Sequence, residues 1–398
     1  MMTYRERMLA ALQGRPTDCI PFVPRLDLWY SANRYNGTLP DKYRKATLLQ
    51  IVEDLDVGFH TVSADRSLYD DSLDIVDRAL GIWRVRTKPH HPKFREIKRN
   101  ISYEGDTTVV EYLTPVGNIR TKTIYDESMR KAGISLSHVS EHAIKSAMDY
   151  EAVAYLFEHA EVHPNYEGLA RLKEEVGERA LIVGTASMGA SAMHHILHEL
   201  IPYDLFFFEY HDHSAELERL AERMTPYIDR VIDVAIHSPA DIIQSGTNYD
   251  VQITWPPFFK KHILPSVAAT ADRCHAAGKF LLNHTDGENK GLLPYFVAGK
   301  IDIADAVCPA PMTSLTLREY REAFAGKITI WGGIPSVSVL ENSMNDYEFN
   351  AYLDDLFIQM GAGDHLILSI ADTAPPGMKF SRLERIARLA REFGPVNP

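Results

Sequence analysis

The chain has 398 residues, 45% of them hydrophobic, enough for a large core. Lys and Arg number 42 against 54 Asp and Glu, a formal charge of −12. That acidic balance, with no Lys/Arg block or aromatic–basic stripe, argues against nucleic acid as a partner, and no run approaches the roughly 18 apolar residues of a membrane span.

The first element is a helix. Thr3-Tyr4-Arg5-Glu6 reads as a capping box opening an amphipathic turn over Met8, Leu9 and Leu12. The segment has no apolar stretch of signal-peptide length. Cys19, Cys274 and Cys308 stand at unrelated spacings with no CxxC, which suits a reducing compartment. A cytoplasmic protein is the expectation.

Short apolar runs then alternate with helical patterns. The predicted strands are Ile20–Val23, Ala180–Gly184, Ala240–Gln244, Lys279–Asn283, Ile303–Val307, Ile328–Trp331 and His365–Ile370. Each is a continuous buried run of the kind parallel strands present. The predicted helices are Pro257–Ala277 with a break at Pro265, Leu317–Phe324 opened by Thr316 and Glu319, Tyr347–Met360, and Arg382–Phe393 stopped by Gly394-Pro395. In the C-terminal half, strand starts recur every 25 to 40 residues or so, a βα spacing. Seven or eight such units predict an α/β, TIM-like (β/α)8 barrel, and no GxGxxG follows a strand to favour a dinucleotide fold. From Trp83 to Tyr125 the pattern instead alternates, with turns at Glu104-Gly105-Asp106 and Pro115-Val116-Gly117-Asn118. This predicts a β-meander, residues 83–125, inserted in one domain spanning 1–398.

In such a barrel, chemistry gathers where strands end. The strand ends carry Asn248 and Tyr249, Asn283, His284 and Asp286, Cys308, Trp331, and Asp372. In LLNHTDG, His284 and Asp286 are one residue apart, so in an extended segment both side chains point the same way. They suit a shared metal, or an imidazole oriented for proton transfer. His284, Asp286 and Cys308 together offer the nitrogen, oxygen and sulfur that zinc accepts. The bland alternatives are a His-x-Asp tied to loop backbone, a buried Cys308 and a core Trp331. His211 and His213 read as the start of a helix. His194 and His198 share a helix face without an HExxH pattern and read as surface or packing.

The ordered set RERMLAALQGRPTDCIPF, LTPVGNI, HILPSVAATADRCHAAGKFLLNHTDG, AVCPAPM, ITIWGGIP and HLILSIADTAPP resembles the uroporphyrinogen decarboxylase superfamily over nearly the whole chain. That group includes corrinoid-dependent methyltransferases, and its fold is a TIM-like barrel. The decarboxylase's RQAGR segment has no counterpart; the comparable region reads PRLDLWYSANRY, with Arg25 and Asp27. In the thiol-methylating members zinc is bound through His-x-Cys and a later Cys. Here His284 matches the His, Asp286 stands at the first Cys, and Asp372 falls near the second. The resemblance therefore implies the O-demethylase branch: a methyltransferase moving methyl from a small methylated donor, such as a methoxylated aromatic, to a corrinoid on a separate protein. None of the 17 histidines has an Asp two residues before it, so the chain has no DxHxxG corrinoid motif.

On this reading His284, Asp286 and Asp372 are catalytic; Asn248, Tyr249, Trp331 and Arg25 bind substrate; and His284, Asp286 and Cys308 hold zinc. The partners are the donor and the corrinoid protein, with a homodimer left open. The rival readings are a decarboxylase or lyase in which Arg25 or Arg66 holds a carboxylate, a glycosidase-like pairing of Asp286 with Asp372, and a barrel that binds a ligand without turnover.

Overall fold

Thr3 accepts from the backbone of Glu6 and the Glu6 side chain returns to Thr3, so the capping box forms and the first helix runs Tyr4–Leu12. This helix, in a computed structural model that describes residues 1–62, 76–83, 85–134 and 136–397, lies across the starting ends of the strands. Arg5 grips Asp241 through two bonds of 2.7 and 2.6 Å, one residue before a strand begins. Thr329, the first residue of another strand, approaches the Ala11 carbonyl.

The chain is mixed α/β. Twelve strands follow among the described residues: β1 His90–Phe94, β2 Lys98–Glu104, β3 Thr107–Thr114, β4 Gly117–Ile124, β5 His138–Glu141, β6 Ala160–Pro164, β7 Val183–Ser187, β8 Ile242–Thr247, β9 Phe280–His284, β10 Ile303–Val307, β11 Thr329–Pro335 and β12 Leu366–Ala371. The last six form one parallel sheet in sequential order, β7 to β12, with helices in the connections. Pro265 sits in the first turn of helix Leu264–Ala276, after a π-helical turn at Phe259–Ile263, so the expected break falls just ahead of the proline.

Both edges of this sheet are engaged. Beside β12, Leu368 donates to Pro21 and accepts from Val23; in turn Gly58 donates to Phe22. Beside β7, the Thr61 hydroxyl donates to Leu181 and accepts from the Val183 amide. Expected strand Ile20–Val23 is thus extended chain with a single ladder bridge, Phe22 to Leu368. One buried apolar cluster takes Val23, Val62, Val183, Ile242, Leu282, Ile303, Trp331 and Ile367, and Tyr4, Met8 and Ala11 of the first helix close it. Burying such side chains supplies most of the favourable free energy, at about 25 cal/mol per Å².

The meander differs from its expected bounds. Strands β2, β3, β4 and β5 form a four-stranded antiparallel sheet spanning Lys98–Glu141, while β1 leaves to pair with β6. Trp83 and residues 85–89 are not strand. The alternating apolar residues, Trp83 and Val85, turn toward a cavity instead of forming a sheet face.

Candidate active site at the strand ends

Strand β9 ends at His284 and β10 carries Asp305, and the two residues are register partners. Two backbone devices aim this edge. Ala306 adopts φ 58° at a bulge in β10, and Gly332 lies opposite, where a Cβ would meet the Val307 amide nitrogen at 2.7 Å. Neighbouring β8 bulges as well. Gly246 has φ 91°, and a Cβ there would fall 2.0 Å from the Tyr249 hydroxyl.

The result is a row of alternating charges. Arg25 Nη1 lies 2.5 Å from Asp372 Oδ1, and that oxygen lies 3.2 Å from His284 Nε2. His284 Nδ1 meets Asp305 Oδ2 at 2.6 Å, and His60 Nε2 stands 3.6 Å from the other Asp305 oxygen. Arg25 Nε also donates to Asp27 at 3.1 Å. Burial alone would push the imidazolium of His284 down in pKa, but Asp372 and Asp305 outweigh it and raise it to about 10. Asp305 is lowered to about 2: burial opposes its charge, and the His284 and His60 hydrogen bonds prevail. Asp372 is held below the usual carboxylate range because Arg25 and His284 overcome its burial. Asp286 goes the other way. Burial, then the like charge of Asp372, raises it, against the pull of His284 and Arg25.

Ligand atoms of His284, Asp286 and Asp372 all lie within 4.8 Å of one another. Such a nitrogen-and-oxygen set, with Nδ1 of the imidazole already bound by a carboxylate, would hold a divalent cation once Nε2 gives up the proton it directs at Asp372. Asp305 fixes the ring as metal-binding histidines require. Cys308 is outside this set. It is buried, its thiol lies 3.5 Å from Met312 Sδ and 3.9 Å from the Ala371 carbonyl, and burial raises its pKa.

The cluster forms one end of a cavity of roughly 250 Å³. Arg25 and Asn248 line it as expected. Thr185 and Met188 of the small-residue turn line it too, with Gln244 and Thr247 of β8. Trp83, Val85 and Leu136 supply an apolar wall. Two expected substrate contacts do not reach the cavity. Tyr249 is fully buried, stacked on His194, with its hydroxyl 3.4 Å from Asn283. Trp331 is fully buried in the interior, donating to Val23 and packed 4.7 Å from the His60 ring. Trp331 faces the apolar cluster it shares with Val23 and Ile367, whereas Tyr249 packs against Phe259 and Phe296 of the flanking helical segments.

Behind Asn248 stands a network absent from the sequence reading. Asn248 Nδ2 is 3.0 Å from His198 Nε2, His198 Nδ1 is 2.7 Å from Glu199, and Glu199 takes Arg78 at 2.5 Å. A π-helical turn, Ile196–Leu200, presents this pair. His194 and His198 are therefore packing and network residues. His211 ends helix Tyr203–Asp212, while His213 precedes helix Ser214–Ile236. Arg66 lies outside the described residues.

Comparisons with known proteins add the fold alone. No family model matches the chain, and no curated protein matches it. Among solved structures, a methyltransferase from Methanosarcina mazei superposes with a TM-score of 0.59 at 13% identity, covering 98% of this chain and 99% of that one. The chain thus shares the overall α/β architecture of that methyltransferase. Among the described residues, no helix is long and apolar enough to cross a membrane.

Proposed function

We propose that the chain is a methyltransferase that takes a methyl group from a small methylated donor, a methoxylated aromatic, and passes it to a corrinoid carried by a separate protein. The observation carrying this reading is the convergence of His284, Asp286 and Asp372 within 4.8 Å at the end of a cavity with an aromatic wall. The architecture behind it is a TIM-like (β/α)8 barrel, closed through segments 21–23 and 57–62. Hydrogen bonds along both sheet edges support closure, as does one inward apolar residue from each of eight segments.

His284 Nε2, Asp286 and Asp372 would hold zinc, which supplies Lewis-acid polarisation of the leaving oxygen. Asp305 keeps the His284 ring oriented. Arg25 balances the charge of Asp372, so two carboxylates share one site without full repulsion. Trp83 stacks on the ring of the donor, and Trp83, Val85 and Leu136 exclude water. Asn248, fixed by His198, orients a polar substituent. As the methyl leaves for the corrinoid, the donor oxygen takes up a proton and departs as a phenol.

A second reading rests on Asp286. Its raised carboxyl, beside an imidazolium, is a proton source for the same oxygen without a metal. Zinc content of the purified protein, measured with activity before and after chelation, separates the two. About one zinc per chain, lost with activity on chelation and absent in Asp286→Ala, is the expected result. Full activity in zinc-free protein would transfer the role to the Asp286 proton.

A further inference from the structure

Strand β2 is the outer strand of the antiparallel sheet, hydrogen-bonded to β3 alone among the named strands. Across the sheet, Arg99, Ile101 and Tyr103 continue the row of Tyr112, Val110 and Thr108, their register partners on β3. On β3 that row is buried, whereas Ile101 is 40% and Tyr103 69% exposed. The core-facing side of the sheet therefore overhangs the body by one strand. An edge of seven residues, Lys98–Glu104, with no proline, is what proteins ordinarily protect from pairing.

The sequence KRNISYE is complementary to itself when run antiparallel. With a twofold axis through Ile101, Lys98 faces Glu104 of a second copy, Arg99 faces Tyr103, Asn100 faces Ser102, and Ile101 meets Ile101. Each facing pair lies on the same side of the sheet, as the twofold period of a strand demands. Three pairs are matched directly: opposite charges, two polar side chains, two apolar ones; Arg99, whose guanidinium is held by Asp77 at 2.9 and 2.8 Å, offers its aliphatic stem to the Tyr103 ring. Other registers break this matching. Shifting the axis by one residue, to Asn100, sets Arg99 against Ile101 and leaves Glu104 unpaired.

We propose that β2 is the interface of a twofold homodimer, in which two four-stranded sheets join into one of eight strands through the Lys98–Glu104 edges. This surface lies on the meander and is independent of the reaction assigned above. A closed twofold pairing also uses up the exposed edge, so it yields a dimer and not an open fibre.

Sedimentation of the full-length chain over a range of concentrations tests it. The wild type is expected to reach twice the chain mass. Glu104→Lys sets lysine against lysine at both symmetric positions and should raise the dimer dissociation constant by about tenfold. Lys98→Glu should do the same. The exchanged variant Lys98→Glu/Glu104→Lys should return to within about threefold of the wild type. These side chains are exposed, so folding is preserved and circular dichroism will match the wild type. A monomer at all concentrations overturns the proposal, as does a dimer indifferent to Glu104→Lys or an exchanged variant that fails to recover.

Discussion

Asp305 carries more of the site than its place in the sequence suggests. It stands inside IADAV, a run otherwise apolar, and it is 2% exposed. A buried carboxylate is costly unless paired. Its partner His284 is 21 residues away in sequence, so only the parallel register of β9 and β10 brings them together. Asp305→Asn removes the anionic acceptor from His284 Nδ1. Zinc affinity, read by competition with a chromophoric chelator, should fall about 10- to 100-fold; unchanged affinity would separate Asp305 from the metal-binding role. Trp83 was equally hard to read, since its alternation with Val85 mimics a strand. Trp83→Ala should raise KM for an aromatic donor about tenfold with a smaller change in kcat, which steady-state kinetics resolve.

Among elements, periodicity was most legible where one side of a segment meets one kind of neighbour. Strand Ile303–Val307 and helix Leu317–Phe324 fall at their expected bounds, the helix because its Thr316–Glu319 box fixes the start. The meander was misplaced at its front because apolar alternation serves a cavity wall as well as a sheet. Tyr249 and Trp331 were assigned to the pocket by position past a strand, yet Trp331 lies inside β11 and Tyr249 follows a bulge in β8. In β8 that bulge depends on Gly246. Gly246→Ala would drive a methyl group into the Tyr249 ring and force left-handed backbone on a residue that resists it. Urea unfolding should report a loss of about 1–3 kcal/mol. A neutral effect would mean that Tyr249 has room to move, and its assignment as fixed packing would fail.

At the scale of the molecule, three imidazoles are buried in neutral form. Burial lowers His90 to about 3, with Lys88 adding to the effect, and burial also lowers His194 and His195. A lowered folded-state pKa contributes stability above the unfolded value of about 6.5, and that stability is lost as pH falls toward the folded value. In zinc-free protein His284, raised to about 10, runs in the opposite sense, and its contribution is already complete below about pH 6.5. Between about pH 6.5 and about pH 5.5 the buried His90 ring therefore removes about 1 kcal/mol, and His194 and His195 act in the same direction. Urea midpoints measured at those two values should fall accordingly, and equal midpoints would show that the rings are hydrated in solution. The mixed α/β architecture is shared over nearly its full length with a methyltransferase, and the chemistry we propose for it rests on three side chains. Anaerobic methyl transfer from a panel of methoxylated aromatics to a reduced corrinoid protein tests that chemistry most directly. The account predicts turnover by the wild type and a loss of at least about 100-fold in His284→Ala. Absence of turnover in folded, zinc-loaded protein across the panel, or equal turnover by His284→Ala, would contradict it.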